Sequence, residues 1–167
     1  MTTPRTLALA LLLTATLSAA GCGIRARRAE RLVGAVTAGD TAQYLTPFGA
    51  PTRPFSPAVR VGNLIFLSGQ IGTDGASANA NAVVAGGIEA ETKQTLENIR
   101  TLLTAVGSSM DKVVKCTVMM ADMKEWDRMN VVYRTYFRPG RLPARSALGA
   151  NGLALNARVE IECIATA

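Results

Sequence analysis

The stretch from Ile88 to Met120 reads IEAETKQTLENIRTLLTAVGSSMDKVVKCTVMM, and its hydrophobic period changes partway along. Ile88, Thr92, Leu96, Ile99, Leu103 and Val106 recur at steps of three and four, the spacing of one helix face. Gly107 stands where a helix commonly ends on a left-handed residue. From Val114 the step becomes two: Val114, Cys116, Val118 and Met120 alternate with Lys115, Thr117 and Met119, as along a strand with one face in a core. A helix running through a short turn into a strand makes this an α+β chain.

Upstream, VRVGNLIFLSGQIG (59–72) predicts two short strands joined at Gly62-Asn63. Leu64, Phe66 and Ser68 fall on one face, Ile65 and Leu67 on the other. With both faces largely apolar, the second strand is expected to be buried on both sides. The Gly/Asn/Ala-rich run 72–87 reads as an exposed loop. Downstream, DMKEWDRMNVVYRTYF (122–137) predicts a second helix. Asp122 and Glu125 suggest a capping box, Trp126, Met129, Tyr133, Tyr136 and Phe137 form the apolar stripe, and Pro139-Gly140 stops it. A last strand runs from about Arg158 to Ala165. The expected fold is a mixed sheet with two helices packed on one face. The other face carries Lys115, Thr117, Glu160 and Glu162 among apolar residues, a mixture that suits a subunit interface.

The N-terminus has a different character. One charge, Arg5, precedes an apolar run from Leu7 to Leu17 and the small residues Ser18, Ala19, Ala20 and Gly21. That order is the layout of an export signal, and the run is short for a membrane span. A buried N-terminal helix is the competing reading, but no polar face interrupts the run. Ending in Gly21-Cys22, the segment resembles a bacterial lipobox, although Ala19 stands where leucine is usual. The expected organisation is a signal peptide at 1–21, a lipidated Cys22 followed by a flexible linker at 22–52, and one domain at 53–167. The expected place is the bacterial cell envelope, membrane-anchored through the lipid on the periplasmic side. Plain secretion to a soluble periplasmic form is the alternative.

Composition narrows the chemistry. The chain of 167 residues is 49% hydrophobic, so it can bury a core. Half of the net charge of +6 lies before Arg53, where Arg5, Arg25, Arg27, Arg28 and Arg31 face only Glu30 and Asp40. The domain itself is mildly basic and poor in aromatics, so no nucleic-acid partner is expected. With no histidine and no paired-cysteine spacing, no metal is expected. Cys116 and Cys163 read as buried and unpaired. The remaining candidates are carboxylates and arginines. Glu160 and Glu162 share one side of a strand, where like charge and partial burial raise a carboxyl pKa. A solvated strand face is the plainer alternative. Arg145 offers a planar fork for a carboxylate, or is simply a surface arginine.

The order and spacing of RPFSPAVRVGNLIFLSGQIG, of the 88–123 segment, of MNVVYRTYF and of PARS followed by EIECIA make residues 53–165 resemble the RidA/YjgF family of enamine/imine deaminases. The resemblance implies a chorismate-mutase-like fold, a homotrimer, and clefts between subunits that each draw on two chains. It implies that Arg145 binds a substrate carboxylate and that Glu160 orients and activates water, with Glu162 as a second glutamate of less definite role. It also implies that Phe55, Ser68, Gly69, Gln70, Asn130 and Ala147 line the substrate site. Three departures stand out. Phe55 replaces a usual tyrosine, losing a hydroxyl, Ala147 falls where cysteine is usual, and LGANG (148–152) departs from the usual run on one side of the pocket. The implied reaction is hydrolysis of 2-enamine/2-imino acids, of the 2-aminoacrylate and 2-iminopropanoate type, to 2-keto acids and ammonia, with no metal or organic cofactor. A non-catalytic trimeric module that binds small carboxylates or a partner protein is the alternative.

Overall fold

A computed structural model describes residues 41–50, 52–74 and 82–167. The expected signal peptide, Cys22 and most of the expected linker lie outside the described residues.

Among the described residues, seven strands form one mixed sheet: β1 (Gln43–Leu45), β2 (Ala58–Val61), β3 (Leu64–Leu67), β4 (Gln70–Ile71), β5 (Val113–Met120), β6 (Ala144–Gly149) and β7 (Val159–Thr166). Their order across the sheet is β1-β2-β3-β7-β5-β6, with β4 also on β7. Only β5 and β6 run parallel; the other pairs are antiparallel. The folded unit therefore begins upstream of Arg53, because β1 pairs with β2 through Tyr44 and Val59. Gly62 takes a φ of 56° in the β2–β3 turn, a left-handed conformation that favours glycine.

Helices α1 (Gly87–Ala105) and α2 (Trp126–Tyr133) supply the other layer. The stripe expected on α1 is buried at Ile88, Thr92, Leu96, Ile99 and Leu103. It packs on Cys116, Val118, Met120, Val159, Ile161 and Cys163, which form one core with Met129, Tyr133 and Phe137. Gly107 ends α1 at φ 82°, and the Ser108 N–H turns back to the Leu103 carbonyl. Arg158 joins the layers. Its backbone N–H donates to the buried Glu91 carboxylate of α1 at 2.7 Å, and its guanidinium donates to Glu125 at 2.7 Å, just before α2.

Five local readings change. Asp122 does cap, accepting from the Lys124 N–H, but Glu125 turns to Arg158 instead of closing the box. The helix proper starts only at Trp126, after a 3₁₀ turn. An irregularity between Val113 and Lys115 shifts the β5 register, so Val113 points into the core and Val114 is exposed. β3 is buried on one face only: Ile65 and Leu67 are covered, but Leu64 and Phe66 lie on the open side of the sheet, each 41% exposed. Finally, Cys116 and Cys163 are buried but not unpaired. They sit directly opposite on β5 and β7 and form a disulfide, Sγ–Sγ 2.04 Å. Residues forty-seven apart give no sequence clue to this, because only the antiparallel register of the two strands brings them together.

Candidate functional site

The expected site residues separate into two groups. The first is built on β6 and α2. Arg145 pairs in register with Cys116, whose side chain enters the core on the helix side of the sheet. Because registered partners point to the same face, Arg145 leaves the sheet toward α2. There Trp126, Asn130 and Tyr133 occur at i, i+4 and i+7, on one helix face. The Arg145 Cζ lies 4.8 Å from the Trp126 ring centre and 4.6 Å from that of Tyr133, and its Nη1 donates to Asn130 Oδ1 at 2.7 Å. Half-buried Ala147 follows on the same face of β6, in register with Val118. Arg145 has no carboxylate within ion-pair distance among the described residues. Burial pushes the Tyr133 hydroxyl up to about 12, opposed in part by Arg145, so the ring stays neutral beside the cation.

The second group lies around the N-terminal part of β7, on the opposite face. Val159, Ile161 and Cys163 enter the core, so Glu160 and Glu162 point away from the helices. Glu160 pairs with Met119 on one side and with Ile71 of β4 on the other. Its carboxyl occupies the space where Gly69 would carry a side chain; a Cβ there would come within 2.9 Å of Glu160 Cδ. Partial burial, reinforced by the Glu162 charge, raises the Glu160 pKa. Ser68 donates from Oγ to the Ser56 carbonyl at 2.7 Å, which ties the loop carrying Phe55 to the turn beside Glu160. Gln70 is used locally, donating from Nε2 to the Ser68 and Gly69 carbonyls.

Arg145 and Glu160 thus stand on opposite faces of one sheet. Asn130 touches Arg145, and Gly69 touches Glu160. Phe55 and Gln70 line a cavity of about 410 Å³ with Arg53, Asn98 and Thr101, and neither Arg145 nor Glu160 borders it. Sequence reasoning assigned Trp126 and Tyr133 to the apolar stripe and missed their contact with Arg145. Their i, i+7 spacing about Asn130 was the available signal.

The fold is a two-layer α+β domain with, on one sheet face, an arginine that has no carboxylate partner among the described residues and, on the other, a carboxyl of raised pKa. The family model described as endoribonuclease L-PSP matches residues 47–167. The chain belongs to this family, which includes the RidA and YjgF proteins. A 2-iminobutanoate/2-iminopropanoate deaminase of Mus musculus is 45% identical over 112 residues, covering 67% of this chain and 80% of the relative. The chloroplastic Reactive Intermediate Deaminase A of Arabidopsis thaliana is 41% identical over 68% of this chain and 58% of its own length. Among solved structures, RidA from an Antarctic Psychrobacter superposes with a TM-score of 0.66 at 31% identity, over 75% of this chain and 99% of that one.

Proposed function

We propose that the domain hydrolyses 2-enamine/2-imino acids of the 2-aminoacrylate and 2-iminopropanoate type to 2-keto acids and ammonia. The observation that carries this reading is Arg145: half-buried, held against two rings, and without a carboxylate partner among the described residues. A charge kept ready in this way suits a small anionic ligand. The deaminases among the relatives support the reaction class.

In this mechanism the enamine tautomerises to the imine, and Arg145 binds its carboxylate. Glu160 accepts a proton from water as the water oxygen bonds to the imine carbon, and the C=N electron pair takes up a proton at nitrogen. The carbinolamine nitrogen takes up a second proton, the C–N bond breaks to release ammonia, and the hydroxyl proton passes to the Glu160 carboxylate as the C=O bond forms. A raised carboxyl pKa strengthens Glu160 as a base. Because Arg145 and Glu160 face opposite ways within one chain, a complete site takes the two groups from different copies. The open sheet face supports a trimer, since it exposes Leu64, Phe66 and Val61 around Lys115 and Glu162. The disulfide supports the exported reading, because thiols stay reduced in the cytosol of most organisms. In this reading Cys22 carries the lipid, and the enzyme faces the periplasm.

Freshly generated 2-iminopropanoate provides the test. Wild type should release ammonia and pyruvate faster than buffer. Glu160→Gln should retain pyruvate binding but lose about 10² in rate, the low end for a general base acting on a reactive substrate. Arg145→Ala should weaken pyruvate binding by at least about tenfold. A wild type no faster than buffer excludes the deaminase. If Arg145-dependent pyruvate binding persisted in that case, the loss of the tyrosine hydroxyl at Phe55 would favour a carboxylate-binding module.

A further inference from the structure

Trp126 and Tyr133 lie seven residues apart on α2, about 10 Å along the helix axis. The Arg145 guanidinium lies within 5 Å of both ring centres and one hydrogen bond from Asn130, a turn from each ring. The cation therefore occupies a slot whose walls are the two rings and whose floor is the amide. Asn130 engages Nη1, and among the described residues nothing engages the Nε–Nη2 edge. That edge is one of the paired N–H forks of the guanidinium, which match the two oxygens of a carboxylate. A free arginine side chain samples many rotamers and loses them on binding; a held one has lost them already.

We infer that Trp126, Asn130 and Tyr133 are positioning residues that fix the Arg145 guanidinium and present its Nε–Nη2 edge to the substrate carboxylate. The inference rests on the reading of Arg145 as the carboxylate anchor. It adds that anchoring strength is set by three residues which need not touch the ligand. Trp126 carries most of the testable content. Tyr133 and Met129 belong to the core, whereas Trp126 is half-buried at the start of α2 and packs against that core, so Trp126→Phe, which keeps a ring there, separates the ring's contact with Arg145 from its packing. The slot also predicts shape selectivity. An edge-on fork favours a planar two-oxygen group over an uncharged ester or amide of the same acid, and Trp126 should matter only for the former.

Calorimetric titration of the whole protein with pyruvate, and with uncharged pyruvamide as control, reads this without depending on turnover. Trp126→Leu should weaken pyruvate binding about three- to thirtyfold, the range for a cation–π contact from exposed to desolvated. Asn130→Ala should act in the same direction, and Trp126→Phe should recover most of the loss because a ring face is restored. In an Arg145→Ala background, Trp126→Leu should have no further effect, and pyruvamide binding should change in none of these variants. With 2-iminopropanoate as substrate, Trp126→Leu should raise KM much more than it lowers kcat. If Arg145→Ala weakens pyruvate binding while Trp126→Leu and Asn130→Ala do not, the positioning role is wrong and the anchor stands. If Arg145→Ala itself has no effect, the anchor reading fails and the positioning role fails with it. A Trp126→Leu effect that persists without Arg145, or that Trp126→Phe does not relieve, would assign the tryptophan a packing role only.

Discussion

Glu160 shows how much one residue owes to its surroundings. Burial and the charge of Glu162 both favour its protonated form in the folded chain. The unfolded chain has no such bias, and its carboxyl titrates at about 4.3. The proton is therefore held more tightly by the folded state. Below the unfolded value the residue is neutral in both states and costs nothing. As pH rises through the folded value, the folded chain must charge a half-buried group, and stability is lost. Glu160→Gln should raise the melting temperature at pH 7, with the gain shrinking toward zero near pH 4. An increment that did not vary with pH would mean that charge is not the cause. Burial, the larger cause of the raised pKa, was not legible in the sequence; E-I-E showed only the smaller one, two carboxyls on one strand face. The aromatic slot of Arg145 was not, because three helix residues and one strand residue meet there only through tertiary packing.

At the scale of elements, periodicity alone located both helices and the longest strands. Alternation in β5 missed one inward position, because the irregularity at Val113 adds a residue that pattern counting does not register. β1 and β4 escaped for a different reason: at three and two residues they are too short to show a period. The disulfide is an element-scale feature with a direct energetic consequence. It joins the adjacent strands β5 and β7 across a sequence separation of 47, so in the unfolded chain it closes a long loop. Chain-entropy arguments give about 4 kcal/mol for a loop of that length. Replacing Cys116 and Cys163 by serine should lower the melting temperature by about 10–20 °C, and a reductant should do the same to wild type once the core opens. Equal melting of the wild type and the double-serine variant under oxidising conditions would show that the bond contributes nothing.

For the whole molecule, the decisive point is that Arg145 and Glu160 lie on opposite sheet faces. If the site is completed between copies, two inactive variants can repair each other. Arg145→Ala keeps an intact Glu160, and Glu160→Gln keeps an intact Arg145. Unfolding and refolding the two together at equal amounts should restore about a quarter of wild-type activity, the fraction of clefts that draw both intact groups under random assembly in a cyclic trimer. Separately refolded samples mixed afterwards should stay inactive if subunits do not exchange. Failure of co-refolded mixtures to recover any activity would place both groups in one chain's site.

The position of β7 also governs the order in which the molecule can be made. It is the last of these strands in sequence, yet it sits in the middle of the sheet, with β3 and β4 on one side and β5 on the other. While the chain emerges from the ribosome N-terminus first, β2–β3 and β5–β6 can pair locally, but the gap between them stays open until Val159–Thr166 is released. Both edges facing that gap are bare backbone throughout. Synthesis of this domain therefore ends with an insertion rather than an addition at the rim, and one event delivers the central strand, Glu160 and the second cysteine. A nascent chain stalled before Val159 holds none of the three, and has two open strand edges that other chains can pair with.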